Sequence, residues 1–160
     1  NSANSKVLKM NYWLFKSEPQ EYGIEHLKAE PKQTGRWDGI RNYQARNIIR
    51  DDIQIGDGVI FYHSSCKNVG VAGFAEVVSS PYPDPLQFDP ESKYFDPKSS
   101  TESPRWVCVD IKYVSHVNTF LPLSTIKRTE QLQNMVLVNR SRLSISELSF
   151  YFLCSLFYNK

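Results

Sequence analysis

The 160-residue chain reads as an α+β domain built on a curved, mostly antiparallel sheet or small barrel. Three features carry that expectation. Dense β patterns recur at 12–17, 59–64, 69–78 and 106–114; only short helical patterns lie between them; and long crossovers join them without a repeat or a linker.

Taken in order, YWLFKS (Tyr12–Ser17) is an aromatic-rich strand that Glu18-Pro19 ends, because proline cannot donate to a ladder and disfavours helix before it. Lys16 and Ser17 then sit at a sheet rim. Ile24 and Leu27 mark a short helix, and EPKQTG is read as loop, with Trp37 following in the same loop. Asn42 is placed to cap a helix over Tyr43–Asp51, in which Ala45, Ile48 and Ile49 form a narrow apolar stripe. A turn at Gly56-Asp57-Gly58 leads into VIFYHS and VGVAGFAEVV, joined through SCKN as a hairpin, with Gly70 and Gly73 permitting a bulge or close backbone approach.

The segment Ser79–Pro104 has no periodicity and holds six of the nine prolines; its tyrosines, Tyr82 and Tyr94, favour a functional loop over a disordered one. WVCVDIKYV alternates as a half-buried strand. LSTIKRTEQLQNMVLV is weakly helical, RLSI is a short strand, and Ser146 is placed to cap a final helix through LSFYFLCSLF, although that run also suits a strand.

A chain of this length with 41% hydrophobic residues buries roughly 70% of its unfolded surface in one domain, read as residues 10–160, with residues 1–9 a tail or an expression remnant. No run of about 18 apolar residues occurs, so no membrane span is expected, and NSANSKVLK lacks the apolar centre of a secretion signal. Cys66, Cys108 and Cys154 are far apart and lie at no ligand spacing to histidine, which argues against a disulfide frame and a zinc site and for a reducing compartment. The net charge of +2 is weak for a general nucleic-acid binder, yet Arg36, Arg41, Arg46 and Arg50 face only Asp38 across their window. That run is either a local basic patch or a solvated helix face.

The stretch GRWDGIRNYQARN concentrates the chemistry. Trp37 there is either a ring open to stack on a ligand or a packed barrel-end tryptophan with a bonded indole N–H. Arg41, Asn42 and Arg46 are either caps and surface pairs or holders of phosphate and a base edge at a helix start. His63 alternates with Phe61 and Val59, as a satisfied core histidine does. Glu76, within an apolar strand, must be bonded or paired if buried. Lys16 and Glu76 with Ser17 or Tyr62 would have to converge for a proton-transfer enzyme. No nucleophile elbow, Walker loop, dinucleotide fingerprint or metalloprotease helix is present. The residues alone yield a pocket and no reaction.

In order, YWLFKSEP, RWDGIRNYQARN, the GD turn before FYHS, GVAGFAEVV, YPDP, FDP, YFDPKS, RWVCVDIKYV and SRLSI make a string that resembles the EVE domain family over almost the whole chain. The resemblance implies a PUA-like pseudobarrel of mostly antiparallel strands with short flanking helices, related to the YTH readers of methylated adenine. It implies a non-enzymatic, monomeric binder of nucleic acid, with modified cytosine in DNA the foremost ligand, no cofactor, no metal and no membrane partner. Cytoplasmic localisation follows for a bacterial chain and nuclear for a eukaryotic one.

Carried over by position, Ser17, Trp37, Asn42, Tyr62, His63 and Ser64 would bind the base, with Tyr82 and Tyr94 as the opposite wall and Ser144 near the mouth. Lys16, Arg41, Arg46 and Arg142 would hold phosphates. Gly23 departs from the family, standing where a capping Ser or Thr is common. Two alternatives remain at this point: a small amidohydrolase-like enzyme acting on modified nucleosides, and a protein interaction domain that docks a partner through the Ser79–Pro104 loop.

Overall fold

A computed structural model describes residues 10–128 and 143–148, apart from the side chains of residues 118, 127 and 128. Strand β1 (Tyr12–Ser17) leads through α1 (Pro19–Tyr22), α2 (Ile24–Ala29) and a 3-10 turn (Pro31–Gln33) to β2 (Thr34–Trp37) and α3 (Tyr43–Asp51). Then come β3 (Gly58–His63), β4 (Gly70–Val77), β5 (Tyr82–Pro83), a second 3-10 turn (Pro85–Phe88), β6 (Val107–Pro122), α4 (Leu123–Arg128) and β7 (Ile145–Glu147). The strand order is β2-β6-β4-β3-β1-β7, with β5 pairing β6 separately. Only β1 and β3 run parallel; the other described pairings are antiparallel.

The sheet curls. Trp37 of β2 stands 5.1 Å from Phe15 of β1 and 5.3 Å from Phe61 of β3, ring centre to ring centre. In a flat sheet β2 and β1 would lie four strand spacings, about 19 Å, apart. Only a sheet rolled on itself brings those inner faces together. Helix α3 packs against both β6 and β7. Period-two alternation divides the core: Trp13, Phe15, Val59, Phe61, Val109 and Ile111 fill the interior with Trp37, whereas Leu14, Ile60, Tyr62 and Val71 pack on the other face with Ile126 and Leu148.

Several elements depart from the sequence reading. EPKQTG is not wholly loop, since its last residues open β2, and Trp37 ends that strand opposite Val109. Four residues are too few to show alternation; their pairing with β6 makes them a strand. Strand β6 runs eight residues past the segment first legible, because an extra residue at Val114 breaks the period without ending the ladder. Ser146 is buried in β7, paired with Leu14 of β1, and does not cap a helix. Glu76 is exposed, so the buried alternative does not arise. The helical reading beyond Arg128, the final helix, Cys154, Arg142 and the tail lie outside the described residues.

Other expectations match. Asn42 caps α3, its Oδ1 accepting the Ala45 N–H at 3.0 Å. The β3–β4 hairpin carries a bulge, and at Gly73 a Cβ would come within 2.6 Å of the Ser115 carbonyl, so only glycine lets β4 close on β6. The Pro-rich segment is ordered from within. The buried Gln87 amide donates to the Asp84 and Trp106 carbonyls and accepts from Ser99 and from the Arg105 and Trp106 backbone.

Candidate functional site

A cleft of about 1020 Å³ opens beside Trp37, at the upper end of the range for small-ligand sites. The rim end of β1 supplies Lys16 and Ser17, β2 supplies Thr34 to Trp37, the next loop supplies Asp38 to Asn42, and the turn after β3 supplies Ser64 and Ser65. Tyr22, Glu30, Lys93, Tyr94 and Ser144 close the remaining sides. Strand ends place these groups because a ladder that stops leaves its last side chains at the rim.

The wall at Trp37 differs from the open platform that its sequence setting suggests. The side chain is 5% exposed, with Phe15 tilted against it at 5.1 Å and Phe61 and Tyr22 edge-on at 5.3 and 6.3 Å. Nor is its indole N–H bonded, as a packed tryptophan's should be. Trp13 donates to Asp57 at 2.9 Å and Trp106 to Asp96 at 2.7 Å, whereas Trp37 Nε1 is buried with no hydrogen-bond partner among the described residues. An orphaned buried donor costs about 1–3 kcal/mol.

Around this wall the cleft is polar and internally paired. Arg36 pairs with Asp38 at 2.8 Å, and Lys93 of the Pro-rich segment bonds Glu21 of α1 across the opening. Burial lowers the Lys16 pKa from its ordinary value; burial, then the Glu30 carboxylate, raises that of Tyr22. Arg41 is held from several sides. Its guanidinium donates to the Tyr94 carbonyl at 2.8 and 3.0 Å, to the Ile40 carbonyl and to Asp84 at 2.9 Å. Asp84, fully buried, also accepts the Gly39 and Leu86 N–H groups at 2.8 Å each. Gly39 adopts φ +76°, and a Cβ there would meet the Tyr94 ring at 2.9 Å, so this turn lets Tyr94 reach the wall.

The structure brings Lys16, Ser17, Trp37, Arg41, Asn42, Ser64, Tyr94 and Ser144 together at one cleft. It does not bring Tyr62, His63, Tyr82 or Arg46 there, and Arg142 lies outside the described residues. Tyr62 is 1% exposed on the opposite face of β3, by the same alternation that points Phe61 inward, and burial pushes its phenol pKa up to about 12. His63 accepts the Ile24 N–H on Nε2 at 3.1 Å, a structural bond. Tyr82 donates to Asp110 at 2.6 Å beside β6. Arg46 lies on the outer side of α3 with Tyr43 and Trp106. Lys16 and Glu76 do not converge, since Glu76 lies on β4 away from the cleft.

The family model of the EVE domain matches residues 11–154. This chain belongs to the EVE domain family. Human thymocyte nuclear protein 1 is 42% identical over 92% of this chain and 74% of its own length, and the mouse protein 41% over 87% and 69%. A crystal structure of the human protein in complex with 5-methylcytosine-containing DNA superposes with a TM-score of 0.87, at 42% identity, covering 91% of this chain and 96% of that one. A Pseudomonas syringae protein superposes at 0.85, also at 42% identity, over 91% and 96%. The PUA-like pseudobarrel is thus this EVE domain's fold.

Sequence reasoning missed Tyr22, Glu30, Asp38 and Lys93 of the cleft and the hub at Asp84. Asp84 had a signal: an aspartate before Pro85 is a turn and cap pattern, and its Oδ1 takes that role at Leu86. The others carry none, because they belong to segments without periodicity that meet only in the fold.

Proposed function

We propose that this chain binds DNA containing 5-methylcytosine and takes the modified base, turned out of its stack, into the cleft at Trp37 without catalysing a reaction. The observation that carries this reading is the unbonded Trp37 N–H beside a cleft of ligand size, in a chain so similar to a protein solved with such DNA. A flipped cytosine offers a planar ring, acceptors at O2 and N3 and a donor at its amino group. The Trp37 N–H is a donor in want of an acceptor. Asn42 has its carbonyl oxygen committed to the helix cap, which leaves its amide hydrogens as donors. Ser17, Ser64, Ser144 and the nearby carboxylates supply acceptors for the amino group.

Because Nε1 is shielded, engagement requires a neighbouring ring to shift. Tyr22, edge-on to Trp37 and itself lining the cleft, is placed to give way. Tyr94 serves as the facing wall. Lys16 lies near enough to neutralise a flanking phosphate, while Arg41, its hydrogens committed to Tyr94, Ile40 and Asp84, acts chiefly by fixing Tyr94. Tyr62, His63 and Tyr82 take no part. The matched span supports treating residues 10–160 as one domain, and the relatives' name supports a nuclear site should the source be eukaryotic.

The test is a titration of duplexes that differ at one position, cytosine or 5-methylcytosine, against wild type and Trp37→Phe. Phenylalanine keeps an aromatic wall and deletes the N–H. Tighter binding of the methylated duplex by wild type, with a loss of about 3- to 10-fold in the variant, is expected for one hydrogen bond. Equal affinity for the two duplexes rules the reading out.

A further inference from the structure

Resting on that reading, we propose that the DNA strand leaving the cleft follows the outer face of α3, over a ladder in which cations and aromatic rings alternate. The ladder begins inside the cleft. Lys93 Nζ lies 5.1 Å from the Tyr94 ring centre, and Arg41 lies 5.5 Å from Tyr94 on one side and 5.4 Å from Trp106 on the other. Arg46 continues it, 5.9 Å from Trp106 and 4.7 Å from Tyr43, and Tyr43 and Trp106 are themselves 4.8 Å apart. Because Lys93, Tyr94 and Arg41 also line the cleft, cleft and ladder form one continuous surface.

A solvated amphipathic helix explains the arginines of α3 but not this arrangement. Tyr43, Arg46, Asn47 and Arg50 fall at i, i+3, i+4 and i+7, opposite the buried Ala45 and Ile49. Tyr43 keeps 51% of its surface exposed although it packs on Trp106, leaving ring surface for a base to cover. Arg46 is held in place by the Arg105 carbonyl at 3.1 Å and the Asn47 side chain at 2.8 Å. The neighbouring carboxylates are committed: Asp84 lies buried under Arg41, Asp96 accepts the Trp106 indole, Glu21 holds Lys93 and Asp51 pairs with Arg50. From Tyr43 to Arg50 the helix rises about 10 Å, the length of roughly three stacked nucleotides of one strand. Cations fixed beside the half-exposed Tyr43 ring, with the buried Trp106 packed against it, suit a phosphate backbone carrying a stacked base.

Two probes separate this inference from the reading beneath it: a duplex with a single 5-methylcytosine, and free 5-methyldeoxycytidine, which fills only the cleft. Arg46→Ala/Arg50→Ala should bind the nucleoside like wild type but show a shallower salt dependence for the duplex. Two lost phosphate contacts reduce the slope by about 1.8, so that wild type loses about 12-fold more affinity than the variant between 50 and 200 mM salt. Asp51→Asn, which releases Arg50 and removes an acid from the last turn of α3, should bind the duplex more tightly and the nucleoside equally well. If duplex affinity and slope stay unchanged in both variants while wild type binds both probes, the track is refuted and the cleft reading stands. Wild type binding neither probe refutes both.

Discussion

Replacing Asp84 by alanine removes the group on which one wall of the cleft depends. Its carboxylate accepts from the Arg41 guanidinium at 2.9 Å, from the Gly39 N–H at 2.8 Å and from the Leu86 N–H at 2.8 Å, and its side chain is wholly buried. Breaking a buried pair from one side costs about 3–5 kcal/mol, because the remaining charge is left without its partner. The Arg41 side chain is 21% exposed and can recover some hydration, which places the pair near the low end. The two orphaned amides return the total to about 3–5 kcal/mol. Against a typical stability of about 5–15 kcal/mol this is large. With a urea slope near 2 kcal/mol/M, the unfolding midpoint should fall by about 1.5–2.5 M. Arg41→Ala in the Asp84→Ala background should restore part of the loss by removing the stranded charge. A fall of less than about 0.5 M, or a double variant as weak as the sum of the single ones, would refute the hub.

Two further outcomes follow from the buried groups. Burial first, and the nearby His116 second, lower the His63 pKa below its ordinary value, so its contribution to stability is complete above about pH 6.5 and is lost as the pH falls through the depressed folded value. Thermal melts from pH 8 to 5 should show a steeper fall for wild type than for His63→Gln, and parallel curves would contradict the assignment. Burial also raises the Cys108 thiol pKa to about 12, whereas Cys66 sits partly exposed in the β3–β4 turn. Alkylation of the folded protein with peptide mapping should label Cys66 long before Cys108.

What the sequence revealed depended on whether a signal was local. The cap at Asn42, the strands β1, β3 and β4 and the glycine bulge in the hairpin each follow from neighbouring residues and were legible. Trp37 was not, because the four residues of β2 are made a strand by β6, more than seventy positions away. Reading Tyr62, His63 and Ser64 as one group ignored that successive strand residues face opposite ways, and the fold sends Tyr62 to the outer core. The order of the Pro-rich segment comes from one buried glutamine whose partners run from Asp84 to Trp106, and no period announces it. The cleft gathers residues from strand ends and loops, so the motifs marked its neighbourhood while only the folded chain showed which side chains meet.

The indole N–H of Trp37 is the most direct witness to the central claim. In a ¹H–¹⁵N spectrum of the free protein its three tryptophans give three indole signals, two from bonds to Asp57 and Asp96 and one from the unbonded Trp37. Trp37→Phe identifies the third by its disappearance. Added duplex carrying 5-methylcytosine should move that signal downfield, as an acceptor on the base engages it, and leave the Trp13 signal in place. Saturating duplex that binds the protein yet leaves the Trp37 signal where it was would contradict the claim.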